Sequence, residues 1–280
     1  YSLNGGSQIQ VPDTGHYFVM YNVSGSASDF ANSRSEYSGR ILVNNTDVGY
    51  GRSYGYIRRA VGTAQGSQNE ADPFGATILS LSANDNITIG VRRNDSAANN
   101  VALKAGRNGV AVLQLSEDWQ YLRLARTSSG GSTLTSTTWQ DYQWNAQDEI
   151  DTNYTHTANT ANITLGSSGY YLVALSASGS GTGNRSNMET RLLSGGSVEI
   201  PYSRVSAYSR HQEGCDQPVC SYVSIINVAD NNTVLRVQAR NNAELPGTIN
   251  VLGSTNGFPG GTLTIVKLPN TGSYVETLHV

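Results

Sequence analysis

Cys215 and Cys220 are the only cysteines in the chain, and they flank Asp216-Gln217-Pro218-Val219 with His211 just upstream. Two thiolates and one imidazole fall short of the four ligands a structural zinc takes. A local disulfide between Cys215 and Cys220, pinning a loop with Gly214 and Pro218, is the better expectation and points to an oxidising compartment. Asn22, Asn44, Asn86, Asn94, Asn153, Asn162, Asn184 and Asn231 each open an Asn-X-Ser/Thr sequon, which permits N-glycosylation of a secreted chain without establishing it. Asp148, Glu149, Asp151 and Asn153 offer hard oxygens to calcium, but the stretch lacks the glycine and terminal glutamate of a dedicated loop, so a solvated turn is expected. His16, His156, His211 and His279 lie far apart with no metal-ligand spacing. The Gly-rich run Ser178-Gly179-Ser180-Gly181-Thr182-Gly183 feeds no helix and reads as a flexible loop instead of a phosphate cradle. No nucleophile elbow, zinc-protease helix, P-loop or dinucleotide fingerprint occurs. The expectation is a protein that is not an enzyme and carries no metal and no cofactor. Among 16 tyrosines, Tyr50, Tyr54, Tyr56, Tyr202, Tyr208 and Tyr222 suit a protein or glycan interface, and equally the core and rim of a β-sandwich.

Composition narrows the class. Charged residues make up 14% of the chain and the net charge is -3, so no basic field exists to recruit nucleic acid or an anionic membrane. No apolar run approaches the roughly 20 residues of a membrane-spanning helix. No charged-then-apolar leader opens the sequence, and a secreted protein would have lost it. Thirty glycines with abundant Ser, Thr and Asn suit many short strands joined by polar turns.

The strands can be placed from alternation. Gly15-His16-Tyr17-Phe18-Val19-Met20-Tyr21 follows a strand and a tight turn, and it returns as Gly169-Tyr170-Tyr171-Leu172-Val173-Ala174-Leu175 in the same setting. The order then repeats. Residues 41–48 and 191–198 read as strand, turn, strand. Residues 76–81 and 221–226 read as a strand, 83–91 and 229–237 as a hairpin, and 110–115 and 262–268 as a closing apolar strand. No helical period with caps is present, so almost no helix is expected. The Thr/Ser/Gly-rich stretch 127–136 reads as the linker, which divides the chain into 1–126, 127–270 and a tail 271–280.

Val11-Pro12-Asp13-Thr14-Gly15-His16-Tyr17 and Leu81-Ser82-Ala83-Asn84-Asp85-Asn86-Ile87-Thr88-Ile89 resemble the globular head of complement component q and the tumour necrosis factor superfamily, as do Gly169-Tyr170-Tyr171 and 228–237 in the second unit. The resemblance covers nearly all of both units without long identical motifs. It implies an all-β chain of two tandem antiparallel jelly-roll β-sandwiches that act by binding, in trimers or larger assemblies. Two heads in one chain, with no collagen-like stalk or coiled coil, depart from that pattern and put trimerisation in question.

One strand is short in the count. Over fifty residues separate Leu115 from Gly169, including Trp139, Tyr142 and Trp144, and that is where such families carry their first strand. The first unit has little before Gly15 and lacks such a strand. After Leu268 and a turn, Ser273-Tyr274-Val275-Glu276-Thr277-Leu278-His279-Val280 alternates as a strand would. Donation of this tail, through Tyr274, Val275, Thr277, Leu278 and Val280, into the first unit of another copy would build a head-to-tail polymer. The tail folding back on its own chain is the competing expectation. The function expected is therefore an extracellular structural protein that self-assembles into a filament or surface layer, with copies of itself as partners. The alternatives are a secreted ligand-binding or adhesion module, for instance for glycans, and a virus capsid or fibre protein.

Overall fold

The computed structural model describes residues 1–4, 7–27, 34–58, 70–94, 101–128, 133–134, 138–182, 185–210, 216–242, 247–253 and 259–269. Among these the chain is all β, with antiparallel pairing throughout. The first set of strands is β1 (Ser2–Asn4), β2 (Gln8–Gln10), β3 (Gly15–Asn22), β4 (Gly25–Ala27), β5 (Arg34–Val43), β6 (Thr46–Asp47), β7 (Ser53–Arg58), β8 (Glu70–Ala71), β9 (Phe74–Leu81), β10 (Asn86–Arg93), β11 (Val101–Leu103) and β12 (Gly109–Gln114). The second set is β13 (Tyr121–Arg126), β14 (Thr133–Leu134), β15 (Gln140–Asp141), β16 (Ala146–Ile150), β17 (Tyr154–His156), β18 (Ile163–Leu165), β19 (Gly169–Thr182), β20 (Ser186–Ser194), β21 (Val198–Glu199), β22 (Val205–Ser209), β23 (Val219–Val228), β24 (Thr233–Asn241), β25 (Thr248–Val251) and β26 (Gly261–Lys267).

The first sandwich sets the sheet β1-β2-β10-β5, with β7 beyond β5, against β12-β3-β9. The second sets β17-β18-β24-β20, with β22 beyond β20, against β16-β13-β26-β19, with β23 beyond β19. Each has its own apolar core. Tyr17, Val19, Tyr21, Ile41, Ile57, Leu79 and Ile87 fill the first, and Leu122, Leu124, Trp144, Tyr171, Val173, Leu192, Val237 and Ile265 lie in the second. Alternation explains why the repeated strand is apolar throughout. Tyr17, Val19 and Tyr21 point inward, while Phe18 and Met20 point outward into a third cluster with Ile78, Ala174, Leu172 and Val266, where the two sandwiches meet. The Gly-x-Tyr pattern also has a local cause. The Tyr17 hydroxyl donates to the Asp13 carbonyl at 2.7 Å and the Tyr171 hydroxyl to that of Ser167 at 2.5 Å, so each tyrosine closes the turn that feeds its strand. Asn44 and Asn45 take positive φ in the β5–β6 hairpin, and Gly195 and Gly196 take it in the matching β20–β21 hairpin.

Two expectations change. The division between the sandwiches falls between Gln114 and Tyr121, before the Thr/Ser-rich stretch, because β13 pairs with β26 and β16. The Gly-rich run is no loop over Ser178–Thr182: β19 continues through it. A Cβ at Gly179 would come within 2.5 Å of the Ile249 side chain, so the absence of a side chain is what lets β25 approach. At the edge of the first sheet β1 pairs with β2.

Candidate functional site

The two closing strands, β12 and β26, differ in what lies beside them. β26 has a neighbour on each side: Val173 lies opposite Ile265 on β19, and Leu122 lies opposite the same Ile265 on β13. β12 holds the corresponding place in the first sandwich, with Val112 opposite Val19. It has β3 on one side and, among the described residues, no strand on the other. Leu115 N–H donates to His16 O on the β3 side. By the alternation of an antiparallel ladder, the N–H and C=O groups of Val110, Val112 and Gln114 then face the empty side. Lys267 N–H, in the place of Gln114, donates to the Gln120 backbone carbonyl. In the first sandwich Gln114 N–H instead donates to the Tyr1 phenol oxygen at 3.0 Å, a side-chain contact where the second sandwich uses a strand.

Side chains repeat the contrast. In the second sandwich Leu122 and Leu124 of β13 are fully buried and complete the core. In the first, a groove of about 250 Å³ opens beside β12, lined in part by Ile9, Val23, Ile87, Ile89, Leu103 and Val110. Leu103 is 52% exposed and Val110 41%. A bare strand edge beside an apolar groove is a template for pairing with another segment.

The junction between the sandwiches is built from β13. The Arg123 guanidinium lies 4.2 Å from the centre of the Tyr50 ring, and its Nη1 donates to the Ile78 carbonyl of the first sandwich. Asp148 and Glu149 sit 3.9 and 3.7 Å from Arg123. Burial pushes the Tyr50 phenol above its ordinary pKa, and the neighbouring Asp148 carboxylate adds to that. The Ser176 hydroxyl donates to Arg52 O at 2.8 Å, and the Ser53 and Ser221 hydroxyls lie 3.2 Å apart. His16 stacks on Tyr121 at 4.7 Å.

The other residues singled out by sequence fall as follows. Cys220 is a free thiol buried in the second core, donating to Met188 O at 3.3 Å, and burial pushes its pKa up to about 12. Cys220 is the one cysteine among the described residues, so no disulfide occurs there, and its sulfur faces the core. Cys215, His211, Asn184, His279 and all of the tail residues Tyr274, Val275, Thr277, Leu278 and Val280 lie outside the described residues. Asn153 is buried and its amide donates to the Tyr171 hydroxyl at 3.1 Å. Asn22 and Asn44 spend their amides on Arg107 O and Asp85 Oδ1, each at 2.7 Å, and Asn86 donates to Asn84 O at 3.4 Å. Asn94, Asn162 and Asn231 are exposed. The Asp148–Glu149 carboxylates face Arg123, and Asp151 accepts from Asn153 N at 3.2 Å to hold a turn. His156 is buried, its Nδ1 facing Gln147 at 2.9 Å, and burial lowers its pKa. Among the described residues no group of three or more His, Cys, Asp or Glu side chains is placed to hold a metal. No helix there is long and apolar enough to cross a membrane.

Sequence alternation missed β13. Its outward face carries Arg123, charged but only 8% exposed, and Arg126 at the strand's end, 5% exposed on the face of Leu122 and Leu124, breaks the apolar alternation, so the run does not read as a buried strand. The signal available was the repeat itself: a strand was owed before Gly169.

No protein-family model and no curated protein matches the chain. Solved structures similar to it include murine APRIL, of the tumour necrosis factor superfamily, at 13% identity and TM-score 0.37, covering 54% of this chain and 100% of that one. The globular domain of zebrafish complement 1qA is similar at 14% identity and TM-score 0.34, covering 53% of this chain and 96% of that one.

Proposed function

We propose that the chain is an extracellular structural subunit that polymerises head to tail, residues 274–280 of one copy entering beside β12 of the next. The observation that carries this reading is the difference between the two closing strands. β26 is flanked by β13, whereas β12 presents its free edge and an apolar groove to the same side.

Spacing supports the choice of occupant. Leu115 ends the β12 segment and Tyr121 opens β13; Leu268 ends the β26 segment, and Tyr274 stands at the same interval beyond it. Setting Tyr274 where β13 has Tyr121 carries the register over. Val275 then lies opposite Val112 and Thr277 opposite Val110, as Leu122 and Leu124 lie opposite Ile265 and Leu263. Both side chains face the groove. Main-chain bonds to Val110 and Val112 supply strength, and the alternate side chains supply register. A contact of this kind joins two different surfaces, so it generates a ring or an open filament.

A synthetic peptide covering residues 270–280, added to a chain truncated after Pro269, tests this directly. The expected result is saturable one-to-one binding with a rise in melting temperature. At a hundredfold excess over Kd the gain is about 2.7 kcal/mol. A peptide with Val275→Asp is expected not to bind. Absence of both binding and thermal shift for the native peptide would overturn the reading.

A further inference from the structure

The junction inside the chain exists in unfilled form on both of its sides. The receiving side is on the first sandwich: Tyr50 in the turn before β7, and Ile78 on β9, which together take Arg123. The second sandwich carries the same site. Ser53 pairs opposite Gly39 and Val205 opposite Thr190, while Ile41 and Leu192 hold matching core positions across from Ile89 and Val237. Counting back from these pairs puts Tyr202 where the first sandwich has Tyr50, and Arg204 where it has Arg52. Phe18 pairs opposite Ile78 and Leu172 opposite Ile225, so Ile225 stands for Ile78. Tyr202 and Ile225 line one cleft of about 400 Å³ with Val198, Ile200 and Pro201. Tyr202 is 61% exposed and Val198 67%. Tyr202 also holds a φ of 59°, a left-handed backbone that a bulky side chain adopts rarely and that clusters at binding sites.

The entering side is repeated in the part that the closing strand supplies, since among the described residues the first sandwich has no strand in the place of β13 and Arg123. Val266 of β26 is fully buried where the two sandwiches meet. Its counterpart on β12 is Leu113, which pairs opposite Phe18 as Val266 pairs opposite Leu172. Leu113 is 46% exposed, beside exposed Ala111 and half-buried Met20.

We infer that the cleft at Tyr202 and Ile225 is a docking site for the Leu113–Ala111 face of a second copy of this chain, repeating between molecules the apolar part of the contact that joins the two sandwiches within one. The occupant follows from continuity with the existing junction, since the counterparts of its apolar residues on the opposite sandwich include Leu113 on one side and Tyr202 on the other, both uncovered. Because the halves differ, the contact propagates instead of closing a pair. Tyrosine at the centre of such a patch carries a large share of binding energy. This inference deepens the assembly reading, taking from it that copies associate, and it does not require the tail to be the donor.

The test compares the critical concentration for assembly of the full chain with those of Tyr202→Ala, Val198→Glu and the chain lacking 270–280, by sedimentation. Tyr202 and Val198 are exposed and line no part of the β12 groove, so both variants are expected to melt as the parent does. The expected result is a rise of about 10-fold or more in critical concentration for each. Parent-like assembly of both variants overturns this inference, and loss of assembly on tail deletion alone would then leave strand donation standing. Assembly that survives tail deletion but fails in Tyr202→Ala does the reverse. A full chain that stays monomeric throughout overturns both.

Discussion

Removal of residues 270–280 is expected to convert an assembling chain into folded monomers. Every core residue described here precedes Pro269, so the truncated chain retains both sandwiches and the cluster between them. What it loses, on the reading proposed, is the partner for the bare edge of β12. An unmatched buried donor or acceptor costs about 1–3 kcal/mol, and the groups of Val110 and Val112 escape that penalty only by facing water. In the assembled state the tail replaces that water and covers Val110 and Leu103, which are exposed in the single chain. The expected readout is an unchanged far-ultraviolet spectrum with sedimentation at the monomer mass of 29.9 kDa less the tail. Polymer of parental length from the truncated chain would remove the tail from the account.

The second large effect is on stability. Trp144→Ala is expected to cost about 3–5 kcal/mol, the range for truncating a fully buried aromatic. Trp144 is completely buried, its ring 4.8 Å from that of Tyr142, and its backbone N–H is fixed to Thr160 O at 3.0 Å. Both aromatics lie in the lead-in between Leu115 and Gly169. The indole nitrogen has no hydrogen-bond partner among the described residues, so the loss is one of packing volume. Trp144→Phe is therefore expected to recover much of it. Calorimetry should show a drop of about 10 °C or more in the melting temperature of the second sandwich for the alanine variant, and a clearly smaller one for phenylalanine. Equal losses for the two would mean that the site tolerates no repacking at all.

The same contrast shows why part of this structure is legible in the sequence and part is not. Strands buried on both faces, such as β3 and β19, announce themselves as continuous apolar runs bounded by turns, and the order of strands was readable because it occurs twice. Position within a sheet was harder to see. Tyr121-Leu122-Arg123-Leu124 alternates as a strand with a solvent face, yet Arg123 is nearly buried because it reaches across to Tyr50 and Ile78. Periodicity reports which side chains share a face; it does not report that a charged face is covered by another sandwich. Ser178 to Thr182 failed for a related reason. Glycine and serine ordinarily mark a loop, but here the close approach of β25 to β19 leaves no room for larger side chains. The cleft at Tyr202 was invisible until the register placed that residue over Tyr50. The lead-in of the second sandwich, by contrast, was visible as an interval, the long stretch between Leu115 and Gly169.

The claim on which the account rests is that residues 274–280 of one copy lie beside β12 of another, in the register of β13 on β26. Ala111 and Glu276 would then face each other in a non-hydrogen-bonded pair, where opposed Cα atoms are about 4.5 Å apart and a disulfide is readily formed. The measurement is mild oxidation of Ala111→Cys/Glu276→Cys in a Cys215→Ser background, followed by non-reducing electrophoresis. The account predicts a ladder of covalent oligomers that collapses to monomer on reduction. A monomeric species closed by an internal disulfide, or no cross-link in either form, would contradict it.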